Sequence, residues 1–581
     1  MHIEGNIMQK PTHLITKKIV QALLISGVIL ISNSSFAYDE APNSAAKSEA
    51  ELVQPAMITP AMNIEDTQQA EKIKARLAEV EAEIKAAAKA ANIAKNGYYV
   101  ERKSYGTGRE TEPPRYVRQL NKTWLGEYDA LADVDWLDVG LEYRFRYESR
   151  NNDFRRSNQT IDDPLLLRTR AFVAVKNILD PFRVTLELQD SRRNHSQFSR
   201  DFDTRDVNLS EVLQAYGELY FKESLLPKDN LGNERPISLK YGRHAFELSD
   251  RRLVARNEWR NTTNNFHGLR THFGQVKNDW EIEAFALNPI QRFTVQSDKR
   301  DDSQQFYGIV GDYRGWSKYA TLEPYYYLLK QDGDKVKFGN NGRAATKNSR
   351  IDREIHTAGL RVYNVISNTG WDYDAAYVKQ WGYQDRLNNN GAFIAELDHE
   401  AHAYNAEIGY TVQNAWKPRL SAFYGVATGD KNPTDGKNQR FERLFGFARP
   451  WSNDDYIQME NIRTPKVRVE FEIPQIYSSA IGLDSIKVDT GLSRYYLDSD
   501  TDRWNAGGNL RDQTGKSGDH IGDEIDLRVR FPISDKLALN LGYAHFWAGD
   551  FTKTTSRKIA GESNRDDESD FFYLEISAIA F

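Results

Sequence analysis

Apolar and polar side chains alternate along residues 139–147 of this chain. Val139, Leu141 and Tyr143 begin one row, while Glu142 and Arg144 belong to the opposite row. Because successive side chains of a β-strand point to opposite faces of its sheet, this stretch is predicted to be a strand with one apolar and one ionic face. Similar stretches predict about eighteen strands, at residues 139–147, 166–176, 182–190, 212–221, 236–242, 267–273, 279–287, 305–313, 319–329, 354–364, 371–381, 401–412, 418–427, 464–473, 484–496, 523–531, 536–547 and 571–581.

The connections between these strands alternate in length. Short ones follow most even-numbered strands and long polar ones follow odd-numbered strands, with 222–235 and 474–483 as exceptions. Bacterial outer-membrane barrels sort their loops in this way, and closure leaves no unpaired backbone edge in lipid. We therefore predict an all-β fold, a transmembrane antiparallel β-barrel of about 18 strands over residues 136–581. An even strand number places both termini in the periplasm.

The residues before the barrel have a different pattern. Residues 1–37 resemble a signal peptide, with Lys17 and Lys18 before a short apolar run and Ala37 at the expected cleavage site. Residues 38–65 are predicted to be a disordered linker. Apolar residues at heptad spacing predict a periplasmic helix at 66–97, either a coiled coil or a solvated amphipathic helix lying against the barrel. Residues 98–135 are predicted to be a second linker.

Composition and motifs give little support for catalysis. The chain contains no cysteine, which rules out disulfides and thiolate chemistry, and its net charge of -6 argues against general binding of nucleic acid. The sequence from Asp498 to Asp502 resembles the start of a calcium loop, but Arg503 stands where the turn glycine should be, so an ordinary acidic loop is the alternative. We predict neither an enzyme nor a cofactor or resident metal.

Arginines are the more specific chemical feature, because many of them fall on the polar side of predicted strands. Guanidinium groups are permanently charged and have forked donors that match carboxylates, so a lumen lined by them favours anions. The alternative is that they pair with lumen carboxylates such as Glu142, Glu187, Glu470 and Asp526. The predicted conduit residues are Arg144, Arg146, Arg168, Arg170, Arg243, Arg252, Arg260, Arg361, Arg468 and Arg528.

Two stretches resemble motifs of the alginate export family of outer-membrane β-barrel proteins. The first is GRHAFELSDRR at 242–252, followed by NEWRN at 257–261, and the second is ATGDKNPTDGK at 427–437. The resemblance implies an eighteen-stranded barrel whose narrow, arginine-rich lumen passes a uronate polymer outward past gating loops. It places Arg243, Arg252 and Arg260 in the conduit, and Asp430, Asp435 and Lys437 in a gating loop. Residues 38–135 are longer than the resemblance would lead us to expect.

These observations predict a porin-like channel that conducts an anionic polysaccharide passively and selects for anions. Alternatives are a porin for uptake of small anionic solutes, or a structural or adhesive barrel occluded by its own polypeptide. The expected partners are the anionic polymer or solute and outer-membrane lipid. Residues 66–95 are also expected to mediate self-association or docking of a periplasmic partner.

Overall fold

The computed structural model describes residues 98, 102–156, 160–197, 204–339, 342–366, 369–474, 483, 485–505, 509–560 and 565–581. The chain divides into two units, Met1–Glu81 and Ala82–Phe581, and all of these residues belong to the second. The predicted signal peptide, first linker and periplasmic helix lie outside the described residues. Among those described, no helix combines the length and apolar character needed to cross a membrane.

Eighteen antiparallel strands form one closed barrel, which confirms the predicted all-β barrel but not the predicted helix before it. β1 pairs with β2 on one side and with β18 on the other, so the sheet has no open edge. In chain order β1 to β18 are Leu137–Asn151, Leu165–Val175, Phe182–Asn194, Asn208–Phe221, Ile237–His244, Phe266–Gly274, Trp280–Gln291, Gln304–Tyr313, Thr321–Gln331, Arg353–Val365, Trp371–Leu387, Phe393–Thr411, Arg419–Ala427, Ile462–Ile473, Ile486–Tyr496, His520–Pro532, Leu537–Ala548 and Glu568–Ile579. Each predicted strand corresponds to one of them.

Short elements complete the barrel at its rims. Two-residue strands, Ile161–Asp162, Lys299–Arg300 and Lys437–Asn438, add to strand ends, and the α-helix α1 spans Asp550–Ala560. A short strand, Val117–Gln119, pairs with the start of β1. It lies on the same edge of β1 as β18, whose pairing with β1 ends at Ile579. The chain before the barrel is thereby attached to the barrel wall.

The two faces of the wall follow the alternation in the sequence. Arg144 and Arg146 are buried on the inner face of β1, whereas Tyr143 and Tyr147 lie on the outer face. An outward apolar belt is the surface that a barrel presents to lipid. Its exposed members include Val184, Leu188, Leu269, Ile309, Leu360, Tyr377, Ile408, Leu420, Val467, Leu492, Leu527 and Ile576.

The loops are sorted between the two ends of the barrel, here named the long-loop end and the short-turn end. The long loop predicted at 382–400 is wrong. β11 continues beyond residue 381, β12 begins before residue 401, and a tight hairpin at 388–392 joins them. The predicted strands ended too early there because charged residues break the apolar row, although both strands keep pairing. The exception in sequence at 222–235 is a connection at the short-turn end, whereas residues 475–482 lie outside the described residues.

Three chain segments fill the lumen. Inner loop A (residues 245–265) and inner loop B (428–461) enter from the long-loop end and pair through a short parallel bridge between Val254 and Phe445. Around this bridge lies an apolar core that includes inward rings of the wall, such as Phe266 and Phe306. The N-terminal segment (102–119) enters the short-turn half. The sequence predicts only a linker there, because its residues meet the wall one at a time rather than at a regular period.

Candidate functional site

Four predicted arginines surround the tip of inner loop A. Arg144 of β1 and Arg168 of β2 are directly paired, and Arg146 and Arg170 lie beside them on the same face. Arg144 donates to the backbone oxygens of residues 258 and 260 at 2.7 and 2.9 Å, and Arg146 donates to that of Trp259. The guanidinium carbon of Arg146 also lies 3.9 Å from the Trp259 ring centroid. The wall therefore binds this loop mainly through guanidinium donors.

Glu258 of inner loop A supplies the anion for this group. Its carboxylate lies 2.7 Å from Arg170, 3.3 Å from Arg168 and 2.9 Å from Arg256. Burial alone would raise the pKa of Glu258, but the guanidinium groups of Arg170 and Arg256 hold it well below its usual range. The loop carboxylate thus balances guanidinium groups of the wall and of its own loop.

Asn261 anchors the same loop to the wall through hydrogen bonds. It is fully buried, and its Nδ2 donates to the backbone oxygens of Leu167 at 3.0 Å, Arg192 at 3.0 Å and Asp206 at 2.9 Å. Its Oδ1 accepts from Arg144 at 3.1 Å. Because a buried amide has its partners in fixed directions, this residue sets the depth at which inner loop A sits.

Replacing Asn261 by alanine is expected to lower the free energy of unfolding by about 2 kcal/mol, because several buried acceptors and one guanidinium lose a partner. Urea unfolding in lipid vesicles measures this loss. The control is Asn389→Ala, which truncates an exposed side chain in the 388–392 hairpin and should change the value by less than about 0.5 kcal/mol. Equal small losses in both variants would show that Asn261 does not anchor the loop.

Three further predicted arginines pair with carboxylates on the next strand or the next but one of the barrel wall. Arg361 is fully buried and its Nε donates to Asp374 at 2.9 Å. Arg468 lies 2.8 Å from Asp489 and 2.7 Å from Asp526. Arg528 shares Asp489 at 2.9 Å. Carboxylates of the barrel wall thus balance these guanidinium charges, which agrees with the alternative that lumen arginines pair with lumen carboxylates.

Arg243 and Arg252 are paired as well. Arg243 lies 3.0 Å from Glu211 and donates to the backbone oxygen of residue 298. Arg252 lies 2.7 Å from Asp250, and its guanidinium packs beside the rings of Phe423 and Trp451. A direct contact with solute stays a prediction for both of them.

Arg260 differs from the other predicted conduit residues. Its side chain makes no hydrogen bond or ion pair with the part of the chain that the structure describes, although Asp455 acts on it electrostatically. Burial, and then the neighbouring guanidinium of Arg205, lower the pKa of Arg260 to about 9. A cation in such surroundings is destabilised, and an incoming anion would restore its stability.

Arg260 lines an open cavity of about 110 Å³ at the long-loop end. Loop residues, the end of β3 and the tip of inner loop A form its walls, and cationic side chains outnumber anionic ones. The charged lining consists of Arg146, Arg150, Arg155, Arg156, Arg193, Arg205 and Arg260 together with Glu148, Asp153, Asp162, Asp206 and Asp455. The arrangement can bind a carboxylate-bearing solute through forked donors from several directions.

The predicted gating residues lie at the rim of the long-loop end. Asp435 is exposed and accepts from the backbone N–H of Lys437 at 2.9 Å, while Lys437 pairs with Glu400 at 3.0 Å. Asp430 is buried, and its backbone N–H donates to Asp502 at 2.9 Å. The structure brings none of them to the arginine cavity, and their gating role stays a prediction.

The candidate calcium residues serve as a junction between loops. Asp502 pairs with Arg440, and Asp498 accepts from the backbone N–H of Gly429 at 3.1 Å. No cluster of three or more side chains suited to hold a metal ion occurs in the described ranges. Each of these two carboxylates has a protein partner instead.

Sequence reasoning missed the residues that fill the lumen. Glu258 and Trp259 fall inside the NEWRN stretch, but only the fold shows that they contact β1 and β2. The N-terminal segment contributes Tyr105, whose ring lies 3.6 Å from the guanidinium carbon of Arg468, and Glu112, which pairs with Arg270. Its high density of charged and aromatic residues is the available signal against a plain linker.

A family model described as alginate export matches residues 135–565. The chain belongs to the alginate export family. This confirms the resemblance carried by the stretches at 242–261 and 427–437. The match begins just before β1, so the N-terminal segment precedes it. Family and closed fold together identify a bacterial outer-membrane channel.

No curated protein sequence matches this alginate export family member significantly. Similar solved structures include Acinetobacter baumannii OccAB1, at 11% identity and a TM-score of 0.47, covering 77% of this chain and 97% of that one. Pseudomonas aeruginosa OpdQ has 13% identity and a TM-score of 0.46, with 76% and 97% covered. Pseudomonas aeruginosa OccK11 (OpdR) has 13% identity and a TM-score of 0.45, with 77% and 96% covered.

Proposed function

We propose that this channel passively conducts an anionic polysaccharide, an alginate-like uronate polymer, which binds at the arginine cavity of the long-loop end. The observation that carries the proposal is the guanidinium of Arg260, which lies near Arg205 in that cavity and has no ion-pair partner among the described residues. A uronate offers one carboxylate per sugar, and the fork of a guanidinium matches each of them. Family membership supports the same class of substrate.

The paired arginines deeper in the lumen would act as successive binding sites for the polymer. Each already has a carboxylate from the protein, so exchange with a carboxylate of the polymer would keep the charge balanced. Binding at each of these sites would therefore be weak enough for release, as conduction through a pore requires. Arg144 and Arg170, which bind the tip of inner loop A, would be the first such binding sites below the cavity.

The filled lumen favours a second candidate, a channel for small anionic solutes. Three segments occupy the interior, and the cavity beside Arg260 has a volume of only about 110 Å³. A series of uronate oligomers separates the two. Affinity that rises with chain length beyond two sugars indicates a polymer substrate, whereas equal affinity for monomer and oligomer indicates a small solute.

Calorimetric titration of the detergent-solubilised protein with a trimeric uronate tests the site without requiring an open pore. Arg260→Gln is expected to weaken binding about tenfold, because one charge-assisted contact is lost. The control is Arg300→Gln, which removes an exposed arginine that pairs only with Asp302 in the described part of the chain, and should leave the affinity unchanged. Unchanged affinity in Arg260→Gln would contradict the proposed site.

A further inference from the structure

The N-terminal segment crosses the lumen from wall to wall. Tyr105 covers Arg468 of β14 and donates its backbone N–H to Glu407 of β12. Only a few residues later, Glu112 contacts Lys240 of β5 and Arg270 of β6. In a closed ring of eighteen strands β5 and β14 lie on opposite sides, so the segment obstructs the passage between them.

Glu112 is bound as a ligand carboxylate would be. Its two oxygens lie 2.8 Å from Arg270 and 2.9 Å from Lys240. Arg270 uses its other nitrogens on Glu283 at 2.7 Å, so one face of its fork remains for Glu112. Within the described ranges, Lys240 has no other ion pair. A guanidinium and an ammonium converging on one carboxylate form an anion-binding site that the chain itself fills.

The segment is held in a way that permits exchange. From residue 102 to 116 it forms no helix or strand, and its ties are ion pairs and single hydrogen bonds such as that from Tyr116 to Glu187. The Glu112 side chain remains 37% exposed, so water and solutes can reach this pair. Tyr105 in turn covers Arg468 and Arg528, two predicted conduit residues.

We propose that Arg270 and Lys240 form a carboxylate-binding subsite of the conduit, and that Glu112 of the N-terminal segment occupies it as an internal substitute for uronate when the channel is closed. An entering uronate displaces Glu112, residues 102–115 withdraw from the lumen while Val117–Gln119 stay paired with β1, and Arg468 and Arg528 are uncovered. The exchange is carboxylate for carboxylate and requires no energy source. The identity of the displacing anion, though not the closure itself, rests on the function proposed above.

Cysteine labelling in the full chain, which has no native cysteine, tests the displacement. Thr107 is fully buried, whereas Gly108 is exposed and has no atom within 4 Å of the position that a Cβ would take. A water-soluble maleimide should therefore label Thr107→Cys slowly and Gly108→Cys rapidly. Adding Glu112→Gln is expected to accelerate labelling at Thr107→Cys about tenfold, and a trimeric uronate is expected to do the same in the parent background.

The matched control is Glu110→Gln, which makes the same charge change within the segment. Among the described residues, the hydrogen bonds and ion pairs of the Glu110 side chain go only to Thr111 and Arg115, so labelling at Thr107→Cys should keep its slow rate. Equal rates in Glu112→Gln and Glu110→Gln would overturn the proposal. Acceleration by Glu112→Gln but not by uronate would support closure by the segment and would contradict uronate as the displacing anion.

The subsite itself is tested by calorimetry with the trimeric uronate. Glu112→Gln should add a binding event to that at Arg260, and a further Lys240→Met change should remove only the added event. Absence of the added event would overturn the subsite. Loss of the event at Arg260 alone would contradict the proposed function while leaving the subsite intact, so the two failures are distinguishable.

Discussion

Replacing Arg361 by methionine is expected to lower the free energy of unfolding by about 3 kcal/mol, the largest loss expected among the predicted lumen arginines. The side chain is fully buried, donates through two nitrogens to Asp374 and lies 3.6 Å from Glu323. Removing one partner of a buried pair leaves its carboxylates without compensation. Arg102 and Ser104 of the N-terminal segment still contact these carboxylates, which keeps the loss near the lower end of the usual range.

Urea unfolding in vesicles measures this loss, and Arg528→Gln is the matched control. Arg528 lies on the same inner surface, but its partner Asp489 retains Arg468 at 2.8 Å and Arg530 at 3.1 Å. We therefore expect a change of less than about 1 kcal/mol for the control. If Arg361→Met were as stable as the parent, Arg361 would be free to serve a solute rather than the wall.

The contrast between these two arginines shows what alternation alone predicts. The side-chain period of a strand assigns both residues to the lumen, and the structure places both of them there. Whether an arginine is paired depends on which residues of the neighbouring strands lie beside it, such as those of β9 and β11 for Arg361. Register between strands fixes these partners, and one sequence gives the face of a residue but not its register.

The same limit applies to the contents of the lumen. The inner loops and the N-terminal segment lack a repeating period, so nothing in their local sequence shows that they turn inward. Their apolar residues pack against aromatic side chains that point inward from the wall, such as Phe285 and Phe306. Alternation alone does not distinguish these aromatic residues from those that face lipid. The strands were predictable because their pattern is local, whereas closure of the lumen depends on contacts across the barrel.

Glu258→Gln is expected to release the tip of inner loop A from the wall. The carboxylate is within ion-pair distance of Arg168, Arg170 and Arg256, and the neutral amide cannot balance three guanidinium groups. A loss of about 3 kcal/mol in local stability would raise amide exchange in the loop about 100-fold. Hydrogen exchange at the amides of Arg260 and Thr262, which are hydrogen-bonded in the structure, reports this change.

Glu142→Gln is the matched control, because Glu142 contacts Arg168 and Arg170 from the barrel wall rather than from the loop. It should leave exchange in inner loop A unchanged. The pH dependence follows from the lowered pKa of Glu258: its stabilisation is fully present above the ordinary carboxyl pKa and is lost only as pH falls through the lower value in the folded protein. The parent loop should therefore stay protected at pH 5, and release there would show that Glu258 is not what holds it.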